Sequence, residues 1–404
     1  MFNANRHRGI DKRISRERLF YLILIPLLIT LQACSVPYNG ASEESADALP
    51  SIKAVQIDLD YVYDEDAQQQ QQNILSLVQR VKDLGIKAVF LQAFADPDGN
   101  GVAESLYFPS RSMPLRANLF SPTARLLRQN GIAVFGWLPL LAFTLPGNND
   151  HLYVHRISDS YKNVQTPADY LRLSPFNSTA RKIIEGIYLD FSRETAVDGI
   201  LFHDDGILSD FEDNSEAAML EYQRAGFPAD IEAIHNNRAT KQQWSRYKTE
   251  YLTEFSVTLL DIVRQFQPGI LSARNIFAGP ILQPESEMWF AQSMSSFLQA
   301  YDYIAVMAMP FMEKAPDPQQ WLELLSWAAF SQIRNRDRII FELQSRNWLT
   351  DEPVLPEVMQ QQIILLHQMG VTSLAYYPDD FYNNMPPAEM IKPCLSGLED
   401  CNQQ

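Results

Sequence analysis

The sequence predicts an α/β fold, a (β/α)8 barrel of the TIM type with loop insertions, and three observations carry that expectation. From residue 51 onward short apolar runs alternate with helical patterns, and such alternation implies a parallel sheet. The runs number eight, the count at which parallel βα units close on themselves. Several runs also carry polar residues near their C-terminal ends, which is costly inside an apolar strand unless those ends form the polar mouth of a barrel. A doubly wound open sheet is the alternative. It is disfavoured because no Gly-x-Gly-x-x-Gly and no phosphate-gripping loop follows the first run.

In chain order, Lys53–Asp60 reads as the first strand and is followed by a Gln-rich helix over Ala67–Leu84. Ile86–Phe94 is the second strand, Thr123–Gln129 the next helix and Ile132–Leu141 the third strand. After an insertion come a helix over Ser178–Thr195 and the apolar run Val197–Phe202, the fourth strand. A second insertion leads to a long helix over Lys241–Phe266. The strands Ile270–Arg274, Tyr303–Met309, Ile339–Gln344 and Ser373–Tyr377 complete the eight, with helices over 286–299, 317–333 and 355–369 between them. The fold is expected to occupy residues 51–393, with 394–404 as a C-terminal tail. The 404-residue chain holds 6 Trp, 17 Tyr and 22 Phe, enough for one large core.

Residues 1–33 read as a leader rather than as part of the fold. A basic stretch from Arg6 to Arg18 precedes the apolar run Leu19–Leu31, which is short for a bilayer span and has the length of a secretory signal. Leu31-Gln32-Ala33-Cys34 resembles a bacterial lipobox, implying lipidation of Cys34, and Ser35 after it favours the outer membrane, facing the periplasm. An uncleaved N-terminal anchor is the alternative. Residues 34–50 would then be a flexible tether. Cys394 and Cys401 are left to form a small disulfide, consistent with an exported protein, and no zinc spacing is present. Cleavage would remove six basic and two acidic residues, taking the formal charge from −16 to −20. So acidic a surface repels nucleic acid and suits a cationic polymer.

Acids at strand ends are the candidates for chemistry. Asp204 and Asp205 close the most apolar run and leave it in opposite directions, because side chains alternate along a strand. Cleaving a sugar polymer takes two carboxyl groups flanking the scissile bond. Asp204 leads, with Asp205 and Glu342 as its catalytic partners. Asp58, Asp60, Asp96 and Asp379 sit at other strand ends as candidate substrate contacts. His203 reads as a positioned histidine, and Trp137, Trp348, Tyr376 and Tyr377 offer flat platforms for pyranose rings. Asp96-Pro-Asp98-Gly-Asn100-Gly101 imitates the start of a calcium loop, but Tyr107 stands where a bidentate Glu is required, so a tight turn is expected. His151-x-x-x-His155 with Asp204-Asp205 mimics the ligand set of metal-dependent polysaccharide deacetylases. The order along the chain is reversed, however, and no metal and no cofactor is expected.

The segments Val55–Asp64 (VQIDLDYVYD), Val89–Gly99 (VFLQAFADPDG), Gly199–Asp205 (GILFHDD), Ser272–Asn275 (SARN), Met307–Pro310 (MAMP), Glu342–Trp348 (ELQSRNW) and Tyr376–Asp379 (YYPD) resemble the C-terminal glycoside hydrolase domain of PgaB-type biofilm exopolysaccharide proteins. The resemblance spans about residues 51–393. It implies a barrel that binds and endo-cleaves partially de-N-acetylated poly-β-1,6-N-acetylglucosamine in the periplasm, and it adds Arg274 to the candidate substrate contacts. An outer-membrane export porin is an implied partner. Full-length members carry an N-terminal metal-dependent deacetylase domain, and the space between Cys34 and Ser51 does not hold one, so N-deacetylation is not expected of this chain. A non-catalytic polymer-binding lipoprotein is the alternative from a different class.

Overall fold

The computed structural model describes residues 49–157, 170–194, 196–397 and 401. The leader, Cys34 and the tether up to residue 48 lie outside these residues. Eight parallel strands make one sheet in sequence order: β1 (Ala54–Ile57), β2 (Ala88–Gln92), β3 (Ala133–Leu138), β4 (Gly199–Phe202), β5 (Leu271–Ile276), β6 (Tyr303–Ala308), β7 (Ile339–Gln344) and β8 (Ser373–Tyr377). Every neighbouring pair is parallel, from Ala54 opposite Ala88 to Leu374 opposite Phe341. A parallel bridge between Lys53 and Leu374, and the Leu374 amide donating to the Ile52 carbonyl at 2.8 Å, bring the last strand back to the first. The expected barrel class is therefore the one observed.

The strands are buried on both faces, β1, β2, β4, β6 and β7 along their whole length, which explains their near-continuous apolar sequences. The principal helices that follow them are α1 (Ala67–Asp83), α2 (Phe120–Gln129), α3 (Ser178–Glu194), α4 (Arg238–Arg264), α5 (Met294–Ala300), α6 (Pro318–Phe330), α7 (Pro356–Gln368) and α8 (Ala388–Ser396). Local chemistry starts several of them. Asp66 accepts from the Gln68 and Gln69 amides at α1, and Asp317 does the same for Gln319 and Gln320 at α6, where Pro318 fills the first helical position. Gly136 in β3 lets α3 approach, since a Cβ there would lie 2.5 Å from the Phe191 ring.

Three boundaries differ from expectation. The first strand stops at Ile57, and Leu59–Tyr61 forms a tight helical turn. The helix expected over 286–299 is broken, because Glu287–Phe290 ends at Ala291 (φ 50°) before α5 begins. There Gln292 turns inward and its Oε1 accepts the Phe277 amide at 3.0 Å, a contact made at the end of β5. Residues from 394 on are not simply a tail. Cys394 lies inside α8, is fully buried and is disulfide-bonded to Cys401.

Candidate active site

The C-terminal ends of the strands open into a cleft of about 760 Å³. Its floor is built from inward-facing positions: Gln56 of β1, Gln92 of β2, Trp137 of β3, Asn275 of β5, Met307 of β6 and Glu342 of β7. Its walls come from the βα loops, where two short antiparallel pairs stiffen the rim: Phe94–Ala95 with Ser105–Leu106, and Arg346–Asn347 with Glu352–Pro353. Asp58, Asp60, Asp96, Trp137, His203, Asp204, Glu342, Trp348 and Tyr377, all singled out from sequence, line this cleft.

Asp204 and His203 form its centre. His203 Nε2 lies 2.9 Å from Asp204 Oδ1, and Nδ1 lies 3.5 Å from Asp205 Oδ1. Burial alone would push the imidazole pKa down, but the two carboxylates, Asp204 first, outweigh burial and lift it to about 10. His203 is therefore an imidazolium at neutral pH and donates to Asp204. The Tyr170 hydroxyl reaches both oxygens of Asp204 at 3.1 Å. Glu342, within β7 three strands along the sheet from β4, is buried; Asn275 Nδ2 donates to its Oε2 at 2.9 Å, while Oε1 has no partner among the described residues. Burial, with the Asp204 charge adding to it, raises the Glu342 pKa to about 8. Asp58 also rises to about 8, through burial and then the neighbouring Asp60, and its Oδ1 is likewise unpartnered. Asp96 is raised to about 6, chiefly by burial. The cleft thus holds two carboxyl groups that stay protonated at pH 7 and, opposite Glu342, a carboxylate bonded to an imidazolium.

Four expected site residues are placed elsewhere. Asp205, expected to share catalysis, is fully buried under the floor, where its oxygens accept the backbone amides of Leu140, Leu141 and Ala142. The strand ends at Phe202, and in the turn after it Asp204 lines the cleft while Asp205 goes beneath it. Arg274, expected to contact substrate, is buried beside it and donates to the Gly206 carbonyl at 3.0 Å. Asp379 is held by buried Arg80 at 2.8 Å, and Tyr376 donates to Asp379 at 2.7 Å, so both serve the junction with α1 rather than the cleft. Asp60 does line the cleft, but its oxygens already accept the Tyr107 hydroxyl and the Asp96 amide.

The Asp96 loop is the tight turn its sequence suggested, both oxygens of Asp96 accepting amides of Asn100 and Gly101. The His155 ring meets the Asp150 carbonyl, and neither His151 nor His155 lines the cleft. Among the described residues no group of three or more His, Cys, Asp or Glu is disposed to hold a metal ion. Sequence reasoning missed Tyr170, which lies in an insertion without periodicity. It gave no role to Asn275, although its place at the end of β5 one strand-face from Ala273 was a usable signal.

The eight-stranded barrel carries a carboxyl-lined cleft at its strand ends, and comparison with known proteins places it among the glycoside hydrolases. Residues 56–377 match the family GHL13, described as hypothetical glycosyl hydrolase family 13, and the chain belongs to that family. It is similar to the structure of the PgaB (BpsB) glycoside hydrolase domain from Bordetella bronchiseptica, with 42% identity, a TM-score of 0.81, and coverage of 86% of this chain and 99% of that one. It is 41% identical over 356 residues to the poly-β-1,6-N-acetyl-D-glucosamine N-deacetylase of Escherichia coli K12, covering 85% of this chain and 52% of the relative. The chain thus spans about half the length of the curated relative it matches. An α-L-fucosidase from Paenibacillus thiaminolyticus, at 11% identity and a TM-score of 0.55, shares the fold.

Proposed function

We propose that the protein binds and endo-cleaves partially de-N-acetylated poly-β-1,6-N-acetylglucosamine. The observation that carries this is the pairing of an imidazolium-bound carboxylate, Asp204, with a protonated carboxyl, Glu342, in one open cleft. Glycosidic cleavage needs those two protonation states together, one carboxyl to protonate the leaving oxygen and one to stabilise or attack the anomeric carbon. Glu342 is the better acid because it feels the Asp204 charge, whereas Asp58 groups with Asp60 and Asp96. That acidic side suits ammonium groups of a deacetylated polymer. Trp348, 39% exposed and stacked on Tyr377 with ring centres 6.0 Å apart, supplies a platform for a sugar face.

Residues 35–404 incubated with partly deacetylated polymer should release oligosaccharides detectable by mass spectrometry. Asp204→Asn should lower that release by about 100-fold or more while still retaining the polymer. Binding without any shortening by the unaltered protein would leave a carbohydrate-binding module in place of an enzyme.

We also propose an envelope address in a Gram-negative bacterium. Lipid on Cys34 would hold the barrel at the outer membrane facing the periplasm, beside an exopolysaccharide export porin. No helix among the described residues is long and apolar enough to cross a membrane. Cys34→Ser should move the protein from the membrane to the soluble fraction, and unchanged membrane association would reject lipidation.

A further inference from the structure

We infer that Arg172 is a positioning residue for Asp204, acting through Tyr170 and through the turn that follows Asp205. The inference rests on the reading of Asp204 as a reacting carboxylate. Arg172 belongs to the insertion after β3 and is 4% exposed. Its guanidinium reaches three separate acceptors: Nε donates to the Tyr170 carbonyl at 3.2 Å, Nη1 to the Ile207 carbonyl, and Nη2 to Glu212 Oε1 at 2.9 Å. One planar fork therefore joins the strip that carries Tyr170 to the loop that carries Asp204.

Both ends of that clamp are anchored. Glu212 is itself fixed, its Oε2 accepting the Ser209 amide at 3.0 Å, and the buried Lys248 ammonium donates to the carbonyls of Ser209 and Glu212. Gly206, one residue before Ile207, has its carbonyl held by Arg274. Two consecutive carbonyls after the Asp204-Asp205 pair are thus each gripped by a buried guanidinium. The purpose visible in the geometry is at the other end, where the Tyr170 hydroxyl sits 3.1 Å from both Asp204 oxygens. A hydroxyl shared between both oxygens of a carboxylate fixes its plane. The insertion supplies that hydroxyl only while its strip stays docked; Leu173 and Ser174 hold it through backbone bonds to Leu141 and Leu152, and the Arg172 side chain ties it to the loop after Asp205. Lysine would preserve charge without the fork and could not satisfy three acceptors on three segments.

The test uses Arg172→Met, Tyr170→Phe and their combination, assayed on the partly deacetylated polymer. Arg172→Met should lower kcat by roughly ten- to a hundred-fold with KM changed by less than about threefold, since loss of alignment acts on the reacting geometry. Tyr170→Phe should show the same loss of kcat with the same small change in KM. The double variant should lose little more than Arg172→Met alone, because both changes cut one chain of contacts. A merely structural role would lower thermal stability, leave kcat within about threefold and add to the Tyr170 effect, and that result overturns the inference. If Arg172→Met does not fold, Arg172→Lys with Tyr170→Phe carries the same comparison. If the unaltered protein releases no oligosaccharide, the hydrolase reading fails separately. A crystal structure of the Arg172 variant then decides, with Tyr170 still bonded to Asp204 counting against the inference and Tyr170 withdrawn counting for it.

Discussion

Replacing Asp205 by Asn separates the two neighbouring aspartates by what each does. Asp205 is fully buried, and its oxygens accept three amides at 2.5–2.9 Å: Leu140 at Oδ1, Leu141 and Ala142 at Oδ2. The substituted amide presents one acceptor and one donor. Its best orientation keeps the Leu141 and Ala142 bonds and turns its NH2 on the Leu140 amide. Stranding that buried N–H costs about 1–3 kcal/mol, and losing charge assistance on the two surviving bonds costs about 1 kcal/mol each. The sum, about 3–5 kcal/mol, matches the usual cost of removing one partner of a buried ion pair, here from His203. That is a large fraction of a typical folding free energy. Urea unfolding at pH 7 is the assay, with Asp204→Asn as the comparison, since among the described residues Asp204 accepts from His203 and Tyr170 alone. Asp205→Asn should lose that stability and Asp204→Asn less than half as much. The sign with pH follows from the direction of the shift. Burial would raise the Asp205 pKa, but the His203 bond, His203 charge and Leu140 amide reverse this and hold it below its ordinary 3.8. Its stabilisation is therefore complete above about pH 4 and is lost as pH falls through the lower folded value. Equal stability of the two variants, or a penalty for Asp205→Asn under about 1 kcal/mol, would refute the placement of Asp205 as a buried anchor.

Much of this was legible in the sequence, for a physical reason. Strand positions in a closed parallel sheet are apolar unless they face the mouth, so Asp58 and Glu342, near the ends of their runs, pointed to the mouth before any coordinates. Strand alternation foretold that Asp204 and Asp205 would part company, although β4 ends at Phe202 and they part in the turn after it. It could not say which one entered the cleft, because that depends on where the loop after β3 lays its amides, and Leu140–Ala142 lie some sixty residues away in sequence. Tyr376 and Tyr377 pose the same ambiguity: both are aromatic at one strand end, but only Tyr377 shares the cleft, while Tyr376 reaches Asp379 and through it Arg80 of α1. Arg274 became a candidate substrate contact through the family resemblance, yet it is buried and its Nη2 donates to the Gly206 carbonyl. Tyr170 and Arg172 left no signal, since contacts made by an aperiodic insertion follow from docking rather than from local pattern.

Two further outcomes follow from the cleft. Trp348→Ala should raise KM about tenfold with kcat within about twofold, the loss of roughly 1–2 kcal/mol expected when an aromatic platform is removed; an unchanged KM would show that sugars bypass the Trp348–Tyr377 stack. The pH profile tests the assignment of the acid. Burial raises Glu342 to about 8, so the form able to donate a proton predominates below that pH, and turnover should fall as pH rises through it. Asp58, also at about 8, would give the same limb, so wild-type kinetics alone do not choose between them. Glu342→Gln and Asp58→Asn do: the true donor's variant should be slow at every pH and lose the alkaline limb, while the other should keep the limb near 8. Retention of that limb in Glu342→Gln, with its loss in Asp58→Asn, would transfer the acid to β1 and leave Glu342 as a hydrogen-bonding partner of Asn275.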